Sequence, residues 1–256
     1  MLVELVVQIL VLPLVLSCIF SALALRFASC QNVLPTILLL VWLISYCWIL
    51  NWPNFPPRLV QDWFGLAILF FIPTAYLKDK SNIYSFTVFV VFSLVMVKPV
   101  FSFEPELSDF LTLVFLWVVV WYFLFRRGRY LDNSRQSPFL VSGICVLLGL
   151  VILLGGSSLI GFLCLSLAAA HGAMFLIALR SAQTFNLSAY ILLIFLFLTL
   201  GLFYVDLEPW IVLAFSAALM ISSIAKLSWY RVVFIFLLLC PAIVYEITQS
   251  QGAYRY

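Results

Sequence analysis

The sequence predicts an all-α integral membrane protein, a bundle of about ten transmembrane helices joined by very short loops. Its composition is the first observation, since 66% of the 256 residues are hydrophobic and 9% are charged, against about 25% charged residues in soluble domains. The second is the length of the apolar stretches, because about 20 apolar residues in a helix span a bilayer. Unbroken stretches are the third, since transmembrane β-strands would alternate apolar and polar residues.

Ten apolar segments follow one another along the chain. Glu4 is the only charge before Arg26, so the first segment lacks the basic start of a signal peptide and we expect a retained helix. Gly155 and Gly156 separate the sixth and seventh segments, because residues 138–179 are too many for one span. We predict a single transmembrane domain over residues 1–256, with helices at 3–25, 33–50, 59–77, 84–101, 108–125, 138–154, 157–179, 187–205, 209–225 and 229–247.

The distribution of positive charge predicts the orientation of these segments. Lys and Arg concentrate in cytoplasmic loops. The loops after odd-numbered segments carry most of the positive charge, and the opposite side carries most of the acids together with Arg58 and Arg255. We therefore expect cytoplasmic odd-numbered loops, both termini outside, and a multi-pass protein of the cell (inner) membrane. The basic residues on the predicted cytoplasmic side are Arg26, Lys78, Lys80, Arg126, Arg127, Arg129, Arg135, Arg180, Lys226 and Arg231.

The longest predicted cytoplasmic loop follows the fifth segment. It contains Arg126, Arg127, Arg129 and Arg135. One interpretation is a docking site for anionic lipid or a protein partner. The other is an ordinary anchor of the topology, since basic clusters at this position are what orientation alone requires.

A proline-rich loop separates the second and third segments on the predicted outer side. Residues 51–58 contain three prolines, which stiffen the chain, together with Trp52 and Phe55. Trp is common at the membrane interface, so a rigid interfacial turn is one interpretation. A contact surface for an external partner is the alternative.

Two ionisable residues fall within predicted helices, where such groups are functional candidates by default. Lys98 precedes Pro99 in the fourth segment, and His171, the only histidine, lies in the seventh. Lys98 can extend its amine to the outer surface or form an ion pair, and beside a proline it can also serve as a gate or an anion contact. His171 is either a neutral hydrogen-bond partner between helices or a member of a proton relay or substrate site.

The distribution of small residues suggests which helices form the centre of the bundle. The seventh and ninth segments contain many Ala, Gly and Ser residues, and Ala214, Ala218 and Ser222 lie four apart. Small residues at this spacing let helices approach closely in lipid. We expect these two helices at the centre, and the second, fifth, eighth and tenth facing lipid or a partner.

The sequence excludes several classes of chemistry. One histidine cannot supply bis-histidine haem ligation or a histidine-rich metal pair. The chain has no HExxH, Walker A, GxSxG or dinucleotide-binding motif, and the scattered cysteines suggest no zinc site. We therefore expect no cofactor, no catalytic residues and no nucleic-acid partner.

Three functions remain compatible with these patterns. The first is a non-catalytic subunit or scaffold of a larger membrane complex, whose partners are membrane lipids, other membrane subunits and anionic lipid at the basic loops. The second is a small-solute or ion transporter with a polar site near Lys98 and His171. The third is a membrane-embedded enzyme that acts on lipid, which would need paired acid and base groups at one depth.

Overall fold

The chain folds into a bundle of helices, described here from a computed structural model. The described residues are helical almost throughout and form no strand, which confirms the predicted all-α class for them. They are residues 7–26, 34–50, 57, 59–75, 81–101, 106–127, 136–180, 187–224 and 228–253. The ten α-helices are α1 Leu12–Arg26, α2 Leu34–Leu50, α3 Val60–Phe71, α4 Ser81–Phe101, α5 Leu107–Tyr122, α6 Ser137–Leu154, α7 Ser158–Arg180, α8 Ser188–Tyr204, α9 Pro209–Ile224 and α10 Trp229–Ala253.

Turns of other helical types extend three of these helices. A π turn, Val7–Val11, precedes α1, a 3₁₀ turn, Ile72–Ala75, follows α3, and a second π turn, Phe123–Arg127, follows α5. Helix α10 continues six residues beyond its predicted end at residue 247. Its last turns are polar, and the Thr248 and Ser250 hydroxyls donate to backbone carbonyls three residues earlier.

Four helical stretches are long and apolar enough to cross a membrane. The apolar parts of the other helices, within the residues that the structure describes, are 10–17 residues long. The four stretches are Asn82–Phe101, Leu107–Phe125, Ser137–Leu154 and Trp229–Ser250.

Contacts along α8 show which helix ends lie together. The Tyr190 hydroxyl, near the start of α8, donates to the Pro35 carbonyl at the start of α2, at 2.9 Å. The Tyr204 hydroxyl, at the end of α8, donates to the Met96 carbonyl near the end of α4, at 2.6 Å. We call the end of the bundle at Tyr190 the proximal end and the end at Tyr204 the distal end.

Helix α8 occupies the centre of the bundle. All of residues 189–203 are buried, and α8 packs against α4, α5, α6, α7 and α9. The Phe197 ring lies 4.7 Å from Phe64 and 6.0 Å from Trp42, measured between centroids. Tilted and edge-on aromatic contacts of this kind add to the stability gained by burial.

The central position of α8 corrects the expectation that the eighth segment faces lipid or a partner. Leu, Ile and Phe serve equally well in the interior of a bundle and against lipid chains, because both surroundings are apolar. A helix that is apolar on every side therefore carries no pattern that distinguishes the two positions. Helix α10, by contrast, lies at the periphery as expected, packed against α6 and α9.

The sixth and seventh predicted segments form a tight antiparallel hairpin, α6–α7, which confirms the proposed glycine turn. Gly156 adopts a φ of 107°, a left-handed conformation that favours glycine. Gly149 and Gly161 lie where the two helices cross. A Cβ atom at Gly161 would lie 2.9 Å from the Gly149 carbonyl oxygen, so only glycine permits this close approach.

Helix α7 joins the hairpin to α1 and α2. Its packing against α1, α2 and α6 agrees with the prediction that its small residues allow close contact. On α2, the buried Trp42 Nε1 donates to the Ser166 hydroxyl at 2.8 Å and to the Leu163 carbonyl at 3.2 Å. A polar link between helices thus lies within an otherwise apolar core.

The exterior of the bundle is strongly apolar. Aliphatic and aromatic side chains on α1, α5 and α10 are exposed along the length of these helices. A soluble monomer rarely exposes such large contiguous apolar surfaces. On α10 the exposed residues include Tyr230, Val233, Phe234, Leu237, Val244 and Ile247.

Candidate functional site

His171 is the buried polar centre of the proximal half of the bundle. It lies on α7 with 0% of its surface exposed. Its Nδ1 shares a hydrogen bond with the Ser142 hydroxyl of α6, at 2.8 Å, and its ring lies 4.4 Å from the Tyr190 ring of α8, measured between centroids. Nε2 has no hydrogen-bond partner among the described residues. His171 thus joins three helices and retains one unused polar atom.

Two further buried hydroxyls lie at the proximal end. Thr36 follows Pro35 in the first turn of α2, and Ser137 is the first residue of α6. Both are buried, and within the described ranges neither hydroxyl oxygen has a hydrogen-bond partner. Unsatisfied buried polar atoms are rare in folded proteins, because each loses its hydration without compensation.

Lys98 lies in a different setting. It is exposed on α4, close to the distal end of that helix. Pro99 follows it and has no N–H to donate to the carbonyl four residues earlier. The Tyr204 hydroxyl binds the neighbouring Met96 carbonyl and so joins the end of α8 to this turn of α4.

The structure does not bring Lys98 and His171 together. His171 contacts Tyr190 near the start of α8, whereas Lys98 lies beside the Met96 carbonyl that binds Tyr204 at the end of α8. At 1.5 Å per helical residue, Tyr190 and Tyr204 are roughly 20 Å apart along the axis. Any role of Lys98 or His171 in transport is therefore a separate prediction for each residue.

Acidic side chains gather at the distal end. Asp62, in the first turn of α3, accepts a hydrogen bond from the Leu59 backbone N–H at 3.1 Å, which is the expected role of an acid at a helix start. The Tyr245 hydroxyl of α10 donates to Glu208 at 3.1 Å. The described acids at this end are Asp62, Glu106, Asp109, Asp206, Glu208 and Glu246.

Two cavities open at the distal half of the bundle, and neither is lined by Lys98 or His171. A cleft of about 250 Å³ lies between α3, α7 and α8. Its walls are apolar except for the hydroxyls of Ser157 and Tyr204. An open groove of about 610 Å³ runs along α10 beside Trp210.

The other residues predicted to contact lipid or a partner are only partly placed. Arg126 and Arg127 belong to the π turn after α5. Trp52, Phe55, Arg129 and Arg135 lie outside the described residues, so their proposed contacts stay predictions. In the described part of the chain, no three His, Cys, Asp or Glu side chains form a group that could hold a metal ion.

Sequence reasoning missed the residues that surround His171. Ser142 is one of many isolated hydroxyl residues in apolar stretches, and Tyr190 is one of 11 tyrosines. Their contacts join residues that are 29 and 19 positions apart, which no local pattern encodes. No family model matches the chain, and no curated protein or solved structure shows significant similarity to it.

Proposed function

We propose that the protein is a non-catalytic integral membrane subunit or scaffold of a larger membrane complex. The packing of α8 carries this proposal. Residues 191–198 are fully buried apolar residues at the centre of the bundle, where a transporter would hold a polar solute site. A solid apolar centre suits a protein whose work is done at its outer surface.

The distribution of charge supports ten membrane crossings with both termini outside. Arg180 at the end of α7 and Arg231 at the start of α10 lie toward the proximal end, whereas the described acids lie toward the distal end. Basic residues favour the cytoplasmic side. The proposed orientation places the proximal end in the cytoplasm and the protein in the cell (inner) membrane.

The exposed faces of α5 and α10 are the proposed contact surfaces for lipid and for other membrane subunits. Leu111, Val118 and Trp121 of α5 and Phe234 and Leu237 of α10 are all exposed. Aromatic side chains are enriched at protein interfaces, because they bury a large area with few rotatable bonds. The basic proximal end would add contacts with anionic lipid.

The complex is tested by purifying the protein from its native membrane in a mild detergent. We expect other membrane proteins to co-purify in fixed proportion, and chemical cross-links from α5 or α10 to identify their contact sites. A preparation that is monodisperse, with the mass of one chain and its detergent, would contradict the proposal.

The orientation is tested separately with cysteines introduced as Gly128→Cys, in the loop after α5, and Ser250→Cys, near the end of α10. A membrane-impermeant maleimide added to intact cells should label the variant at position 250 but not the one at position 128. Labelling of both variants, or of neither before lysis, would contradict ten crossings in the proposed orientation.

A small-solute or ion transporter is the second candidate, and the unpaired Nε2 of His171 favours it. We would purify the protein into liposomes that contain a pH-sensitive dye and measure proton entry. Transport through this residue predicts a flux that is lost in His171→Ala and retained in Lys98→Ala. A flux equal to that of protein-free liposomes would count against this candidate.

A further inference from the structure

The residues around His171 define what can bind its free nitrogen. Its Nδ1 faces the Ser142 hydroxyl, and the backbone carbonyl of Pro138 also approaches the imidazole. Pro138 and Ser142 lie four residues apart on α6, so one face of that helix supplies both oxygens. A carbonyl oxygen only accepts hydrogen bonds, which favours a hydrogen on Nδ1. Nε2 is then left with a lone pair, and its partner must be a donor.

The position of the site favours a donor that comes from the nearby aqueous phase. Ser142 lies about 8 Å along α6 from its first residue, at 1.5 Å per residue. Tyr190 and Pro35, which close the site on α8 and α2, lie within the first turn of those helices. The unpaired hydroxyls of Thr36 and Ser137 lie at the same end of the bundle.

We propose that Nε2 of His171 accepts a hydrogen bond from a water molecule that enters at the proximal end between α2, α6 and α8. Buried waters typically make about three hydrogen bonds to otherwise unsatisfied groups. The Thr36 and Ser137 hydroxyls supply polar positions along the entry path. The site is independent of membership in a complex, since it lies wholly within this chain.

The single histidine makes this proposal directly testable. Protein labelled with [¹⁵N]histidine and reconstituted in bilayers gives imidazole signals from His171 alone. Water-edited solid-state NMR should show magnetisation transfer from water to the ring, with a proton on Nδ1 and a hydrogen-bonded, unprotonated Nε2. Absence of water transfer, or a covalent proton on Nε2 at neutral pH, would overturn the proposal.

Hydroxyl deletions test the entry path. We expect Thr36→Val combined with Ser137→Ala to reduce water transfer to His171 several-fold. Ser216→Ala is the matched control, because Ser216 is also a buried hydroxyl without a partner among the described residues but lies on α9. It should leave the transfer unchanged. Equal transfer in all variants, with helical content retained by circular dichroism, would contradict entry at the proximal end.

Discussion

Helices α8 and α10 are both dominated by large apolar residues, yet they occupy opposite positions in the fold. Nearly every residue of α8 is buried, whereas α10 exposes a full face that includes Phe234 and Leu237. In water the burial of apolar surface would drive both helices inward. In lipid that driving force between helices is absent, so fit and interhelical hydrogen bonds decide which helix lies inside. The comparison shows that apolar content governs membrane insertion, and that shape governs burial.

The largest expected effect is a phenylalanine truncation on each of the two helices. Phe197→Ala on α8 removes a fully buried ring that contacts Trp42 and Phe64, and should lower the free energy of unfolding by about 3–5 kcal/mol. Phe234→Ala on α10 removes a ring that is 57% exposed and should change stability much less. Unfolding in mixed detergent micelles measures both. Similar losses in the two variants would mean that α10 is covered by another chain or that α8 is not central.

A methyl group added at two glycines of α7 tests whether close approach, rather than apolar content, determines which helices lie inside. Gly161→Ala would place a Cβ 2.5 Å from Leu153 and 2.9 Å from the Gly149 carbonyl. We expect a loss of about 1–3 kcal/mol in the free energy of unfolding, because the hairpin must open.

Gly172→Ala is the matched control on the same helix. Its Cβ would meet only the Ser142 hydroxyl, at 4.0 Å, and alanine favours helix by up to about 1 kcal/mol over glycine. The two substitutions should therefore change the unfolding midpoint in opposite directions. A shift in the same direction for both would contradict the crossing at Gly149 and Gly161.

The smallest effect concerns hydrogen bonds in the core. Trp42→Phe keeps an aromatic ring but removes the donor to Ser166 and Leu163. Interhelical hydrogen bonds in membranes contribute about 0.6 kcal/mol on average, so we expect a loss near 1 kcal/mol. Trp48→Phe, on the exposed side of α2, is the control and should be close to neutral. Equal effects in the same unfolding assay would exclude a special role for the Trp42 bond.

The functional candidates were partly visible in the sequence. Lys98 and His171 are recognisable because ionisable groups are rare in apolar segments. The sequence could not show that they lie at opposite ends of α8, nor that Ser142 and Tyr190 surround His171. Apolar helices contain many isolated hydroxyls, and their partners depend on helix rotation and neighbour choice.

The sequence by itself determined the helical class and the glycine turn of the α6–α7 hairpin. Unbroken apolar stretches require backbone hydrogen bonds within each segment, and only helices provide them. The tertiary structure alone decided that α8 is central, that α10 is peripheral and that His171 has one unpaired nitrogen. Because lipid and protein interior are equally apolar, hydrophobicity cannot rank the helices, and the order is set by the way their surfaces fit together.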